Sequence, residues 1–158
     1  MVELSREELK DLANKKDTLI IDATDHIAGR LCSNVAKLLL NGKRVVILNS
    51  EKSVFSGNKY SILKEYRDYL QIKSVINPKH TPIHPRAPNN IITKMVRGMV
   101  PIRRPKGMRA MDRLRVYIGV PNEYSKTDAI QIQDAKIRKP ILYYTPISEI
   151  AKLIGWNE

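Results

Sequence analysis

Cysteine occurs once in this 158-residue chain, at Cys32. A single thiol excludes an intramolecular disulfide and fits a reducing compartment. Long apolar runs are missing as well: none approaches the ~18–20 residues that cross a bilayer. The start, Met1-Val2-Glu3-Leu4-Ser5-Arg6-Glu7-Glu8, has acids where a secretory leader has basic residues and then an apolar stretch, so a cytosolic protein is expected. The most informative absence is of acid. From Tyr69 to Met111, 43 residues run without Asp or Glu, yet they contain nine Lys or Arg and six of the nine prolines. Such a segment repels itself unless something outside the chain neutralises it, and the commonest neutraliser is the phosphate backbone of a nucleic acid. A solvated basic loop without a task is the plainer reading; the length and the complete lack of acid weigh against it.

Catalytic signatures are also lacking. Nothing resembles Gly-x-Ser-x-Gly, and no helical His-Glu-x-x-His pair exists. Asp22 and Asp25 flank a strand end and can in principle form an acid–base pair, but no partner is identifiable. His80 and His84 have helical metal spacing, yet Pro82 and Pro85 forbid a helix there and the chain offers no second thiol. Neither a cofactor nor a metal is expected.

What is present suffices for one domain. Hydrophobic residues make up 42% and net charge is +12, which bears on partners rather than fold. Ser5 and Glu8 form a capping box for a first helix over 4–14. Two continuous apolar segments, 18–23 and 44–49, flank a helix over 27–40 with Ile27, Leu31, Val35 and Leu38 on one face. Continuous rather than alternating strands predict parallel pairing with cover on both sides. Residues 53–57 read as a turn, 59–72 as a helix, and 77–87 as loop. The spacing of Ile91, Met95 and Met99 predicts a helix over 88–100, stopped by Pro101. A short piece over 107–113 leads to a strand at 114–118. Alternation follows at 129–137, then a last helix with Thr145 as cap, Pro146 in the first turn, Gly155 past the end, and Ile147, Ile150, Ala151 and Ile154 as its buried stripe.

Several positions invite phosphate. Gly29 alone does not make a dinucleotide loop, and Arg30 either reaches an external phosphate or pairs with Asp22 or Asp25. Ser56-Gly57-Asn58-Lys59 opens a helix and reads as an anion cradle or an ordinary cap; it lacks the Walker spacing. His80 and His84 suit base stacking or phosphate donation, or are plain loop residues. Cys32 reads as a small buried apolar residue. The sharpest cluster runs from Arg97 through Arg103, Arg104, Lys106 and Arg109 to Arg113, with Pro101 and Pro105 restricting collapse.

These residues resemble one family. Ile21-Asp22-Ala23 with His26-Ile27-Ala28-Gly29-Arg30-Leu31, then Asn49-Ser50-Glu51-Lys52, Ser56-Gly57-Asn58, His84-Pro85-Arg86-Ala87-Pro88, and above all Val96-Arg97-Gly98-Met99-Val100-Pro101 and Asp112-Arg113-Leu114-Arg115-Val116-Tyr117 look like the L-thirteen family of large-subunit ribosomal proteins, in its archaeal and eukaryotic form. The resemblance spans roughly 19–121; the N-terminal helix lies outside it. It implies a three-layer α/β/α domain around a small, mostly parallel sheet, with a long basic loop and a C-terminal helix. Single-domain boundaries of 1–158 are expected, with a core at about 18–121, a basic arm at about 73–111 and an extension at 122–158. The resemblance further implies large-subunit ribosomal RNA and neighbouring ribosomal proteins as partners on the cytoplasmic ribosome, a role in early assembly, no membrane, no small-molecule substrate and no catalysis. The expected RNA contacts are Arg30, Lys43, Arg44, Ser56, Gly57, Asn58, Lys59, Lys79, His80, His84, Arg86, Lys94, Arg97, Arg103, Arg104, Lys106, Arg109 and Arg113.

Overall fold

The computed structural model describes residues 2–15 and 17–157, with the side chains of Val2, Arg6, Lys10, Ala13 and Lys15 outside that description. In chain order the elements are β1 (Val2–Leu4), α1 (Arg6–Lys15), β2 (Thr18–Asp22), α2 (Ala28–Leu40), β3 (Arg44–Leu48), β4 (Val54–Ser56) and α3 (Lys59–Gln71). There follow α4 (Pro88–Met99), α5 (Pro105–Asp112), β5 (Leu114–Val116), β6 (Ile130–Ile132), β7 (Tyr144–Pro146) and α6 (Ile147–Leu153). Five strands form one sheet in the order β1-β6-β2-β3-β5, every neighbouring pair parallel. Helices flank it, giving the expected α/β/α layering.

The centre of that sheet explains itself. Leu19, Ile21, Val45 and Ile47 are fully buried, and Val46 and Leu48 nearly so. Side chains alternate between sheet faces, so burial of successive residues requires cover on both. The helix α2 supplies part of it through Leu31, Val35 and Leu38, as the sequence predicts. The capping box also forms: the Ser5 amide donates to Glu8 Oε2 at 2.8 Å, and the Glu8 amide donates to Ser5 Oγ at 3.4 Å.

Four local expectations need correction. Residues 53–57 are not a turn: Val54–Ser56 is a strand paired antiparallel to β7. The buried stripe of α4 is Pro88, Ile91, Ile92 and Val96, while Met99 is exposed. The piece before β5 is a full helix that starts at Pro105. Thr145 lies in β7, where its hydroxyl donates to the Gly57 carbonyl at 3.3 Å, and Pro146 takes the N-cap of α6. In addition β1, unforeseen, pairs with β6 at the sheet edge.

Candidate nucleic-acid interface

The acid-free segment, residues 69–111, divides into the end of α3, an irregular stretch at 72–87 and a helical corner that runs from 88 into α5, whose last residue, Asp112, is the next acid. The corner is built from two prolines at helix starts. Pro88 opens α4 and Pro105 opens α5, where a missing N–H costs nothing. The helix α4 buries Ile92 and Val96 completely and lies against α2, where the Cys32 thiol points at the Ile92 carbonyl at 3.9 Å. Burial pushes that thiol up to about 12, so Cys32 is an inert packing residue.

Between the helices the chain turns within a few residues. The Ile102 amide donates to the Val100 carbonyl at 2.7 Å, the Arg104 amide to Pro101 at 3.0 Å, and the Gly107 amide to Arg104 at 2.9 Å. Gly107 is buried, and a Cβ there would stand 2.1 Å from the Pro101 carbonyl oxygen. Only glycine permits this approach. The corner therefore presents Arg97, Arg103, Arg104, Lys106 and Arg109 from a compact frame, all five exposed. Neither α4 nor α5 has an acid in its first turn, so both positive helix ends stay uncompensated.

Not every expected contact is free. Lys94 donates to the Ile83 carbonyl at 2.8 Å and to the Tyr69 hydroxyl, and sits 4.8 Å from the Tyr69 ring centroid. His84 Nε2 contacts the Ile72 carbonyl at 2.9 Å, and its ring meets Tyr69 edge-on at 4.2 Å. These side chains pin the irregular stretch onto α3 and α4. Arg113 donates to the Leu39 carbonyl at 2.8 Å and so satisfies the end of α2. Lys43 pairs with Asp17 at 3.5 Å. At the start of α3, Lys59 pairs with Glu149, Asn58 caps the Tyr60 amide at 3.0 Å, and the Gly57 amide donates to Tyr143 at 3.0 Å. The ordinary-cap reading thus accounts for that motif's internal bonds, while Ser56 is exposed beside it.

What remains is a set of nine exposed cations: Arg30, Arg44, Lys79, Arg86, Arg97, Arg103, Arg104, Lys106 and Arg109. Among the described residues none of them makes an ion pair. They are not all gathered in one place. Arg30 sits in the first turn of α2 and Arg44 opens β3 past its far end, with about 15 Å of helix between Arg30 and Leu40. Arg86 lies against the reversal after α6, where Gly155 holds φ at +96° and a Cβ would stand 3.0 Å from the guanidinium. Lys79 and His80 stand exposed in a 3-10 turn at Pro78–His80.

The strand ends carry a polar network. Asp22 accepts from the Thr24 hydroxyl at 2.8 Å, the Thr24 amide at 3.1 Å, Asn49 at 2.9 Å and Gln131 at 3.4 Å. Burial alone would raise its pKa, but these donors hold the carboxyl below the usual range. Among the described residues Arg30 makes no ion pair with Asp22 or Asp25. His26, fully buried, donates from Nδ1 to the Thr24 carbonyl at 2.7 Å and accepts the Ile132 amide on Nε2 at 3.0 Å. That pair of bonds selects the neutral Nδ1–H tautomer, and burial pushes the imidazole pKa down. The network joins β2, β3 and β6 at their carboxyl ends. Sequence reasoning missed Gly107 and Tyr69 as site-forming residues. A glycine inside a helical stretch signals a close approach, whereas nothing in the local spacing marks Tyr69.

The fold and the uncompensated cations together define a compact α/β domain built around one basic helical corner. The family description that matches it is ribosomal protein L13, over residues 16–123. Similar chains carry the name large ribosomal subunit protein uL13. That of Saccharolobus solfataricus is 35% identical over 90% of this chain and 96% of its own length. That of Archaeoglobus fulgidus is 39% identical over 89% and 90%, and that of Methanosarcina barkeri 41% over 86% and 96%. This chain belongs to the ribosomal protein L13 family. As a ribosomal protein it is a structural component and not an enzyme. No helix among the described residues is long and apolar enough to cross a membrane.

Proposed function

We propose that this protein binds large-subunit ribosomal RNA through the α4–α5 corner and the basic stretch before it, helps early assembly of the subunit on the cytoplasmic ribosome, and adjoins other large-subunit proteins there. One observation carries the reading: Arg97, Arg103, Arg104, Lys106 and Arg109 stand exposed and unpaired in a segment with no acid of its own. Phosphate neutralisation supplies most of the affinity, and fit to folded RNA supplies selectivity. With roughly six to ten phosphates neutralised, affinity falls about 10³- to 10⁵-fold between about 50 and about 200 mM salt. Replacing Arg97, Arg103 and Arg104 together by alanine removes three such contacts. At about 1 kcal/mol each, that weakens binding roughly 100-fold. The melting midpoint stays nearly unchanged, because none of the three side chains has an internal partner among the described residues. A flat salt response, or unfolding of the triple variant, would refute the reading. Co-sedimentation with large subunits in a sucrose gradient tests the cellular location directly.

A further inference from the structure

A second surface has the opposite character. Between β6 and β7 a 3-10 turn, Ile141–Tyr143, holds three apolar side chains in water: Ile141 is 74% exposed, Leu142 95% and Tyr143 59%. The turn is not slack. The Tyr143 amide donates to Pro140 at 3.1 Å, and its carbonyl accepts the Gly57 amide at 3.0 Å. The Tyr144 hydroxyl accepts from the amides of Arg138 and Lys139, both at 3.4 Å. Behind the turn lies an open groove of about 790 Å³, walled by Gly57, Asn58, Thr145 and Pro146. Fixed backbone prevents these side chains from folding back into the core, and a rigid apolar projection beside a groove marks an interaction site.

Charge decides the kind of partner. The cations that flank the turn in the chain or line the groove are all engaged internally. Lys59 pairs with Glu149, Lys136 with Glu3, and Arg138 with Asp134 at 3.6 Å. Lys139 sits 5.7 Å from the Tyr143 ring centroid. The α4–α5 corner shows the reverse, with five exposed cations against one acid, Asp112 at the end of α5. A self-balanced apolar surface has no use for a polyanion; its complement is another apolar surface of low net charge. We infer that Ile141, Leu142 and Tyr143 dock an apolar, near-neutral segment of a neighbouring protein in the assembled large subunit. The inference rests on the ribosomal reading above and deepens it by naming the protein-facing side.

The test places a photo-crosslinking amino acid at Leu142, and separately at exposed Met108 in α5, in full-length protein incorporated into large subunits. The Leu142 probe yields one adduct with a single subunit protein, destroyed by protease and resistant to ribonuclease. An RNA adduct, an adduct with a second copy of this chain, or no adduct at Leu142 overturns the inference. The Met108 probe reports independently on the basic corner: failure to capture RNA there sinks the RNA-binding reading, whatever Leu142 does. A second variant, Ile141→Asp with Leu142→Asp, keeps wild-type RNA affinity and melting but competes roughly 10- to 30-fold less well for incorporation. Equal incorporation refutes the assignment.

Discussion

Replacing Gly107 by alanine tests the compact corner most directly. The added methyl would lie 2.1 Å from the Pro101 carbonyl oxygen, 2.4 Å from its carbon and 3.0 Å from the Ile102 nitrogen. All three are backbone atoms, so no side chain can rotate out of the way. Either α5 or the 101–104 turn must move by about an ångström. Overpacking of this kind costs about 1–3 kcal/mol. Alanine returns up to about 1 kcal/mol through helix propensity, since Gly107 sits inside α5. A 2.1 Å approach to backbone belongs at the upper end of that range, so the net loss is about 2 kcal/mol, which lowers the melting midpoint by roughly 4–8 °C for a chain of this size. Gly98 provides the control: it is exposed in α4 and an added Cβ meets nothing within 4 Å. Gly98→Ala therefore leaves stability unchanged or raises it by about 0.5 kcal/mol. Thermal melts of both variants, read beside RNA affinity at fixed salt, decide the matter. If Gly107→Ala melts with the wild type, the close approach does not govern the corner and the reasoning fails.

Two further outcomes follow from internal partners. His26 has a folded-state pKa depressed by burial below the ordinary 6.5, so the unfolded chain takes up the proton first. Its contribution to stability is fully present above about pH 6.5 and declines as pH falls from there toward the folded value. Urea midpoints at pH 7.5 and 5.5 show this loss in the wild type and a smaller one in His26→Gln; equal losses in both would assign the acid sensitivity elsewhere. Lys94→Met removes the bonds to Ile83 and Tyr69, so amide exchange rises over residues 72–87 in the RNA-free protein while the melting midpoint moves little. Unchanged exchange there would show that Lys94 does not hold the stretch in place.

The sheet centre was legible because two uninterrupted apolar strands around an amphipathic helix admit few arrangements. The three-residue strands were not. At Val54–Ser56 and Tyr144–Pro146 the chain is too short to show any period, and each is a strand only because the other pairs with it. The α4 stripe was misplaced for a geometric reason. Around the axis Met99 falls only about 20° from Ile92, so the helical wheel puts it on the buried side; it is exposed because it is the last residue of α4. At the site, the exposed arginines of the corner were readable from composition. The engaged cations were not, since Lys59 meets Glu149 across 90 positions and Arg113 meets Leu39 across 74. Distant pairings of this sort leave no trace in local spacing.

The position of β6 between β1 and β2 imposes an order on folding during synthesis. Strands β2, β3 and β5 can associate once residue 116 has emerged. Among the described strands β1 pairs only with β6, so Val2–Leu4 have no strand to pair with until residues 130–132 are made. A nascent chain therefore carries its basic corner into the open with only β2, β3 and β5 able to form the sheet, and the last fifth of the polypeptide supplies the strand that joins β1 to them.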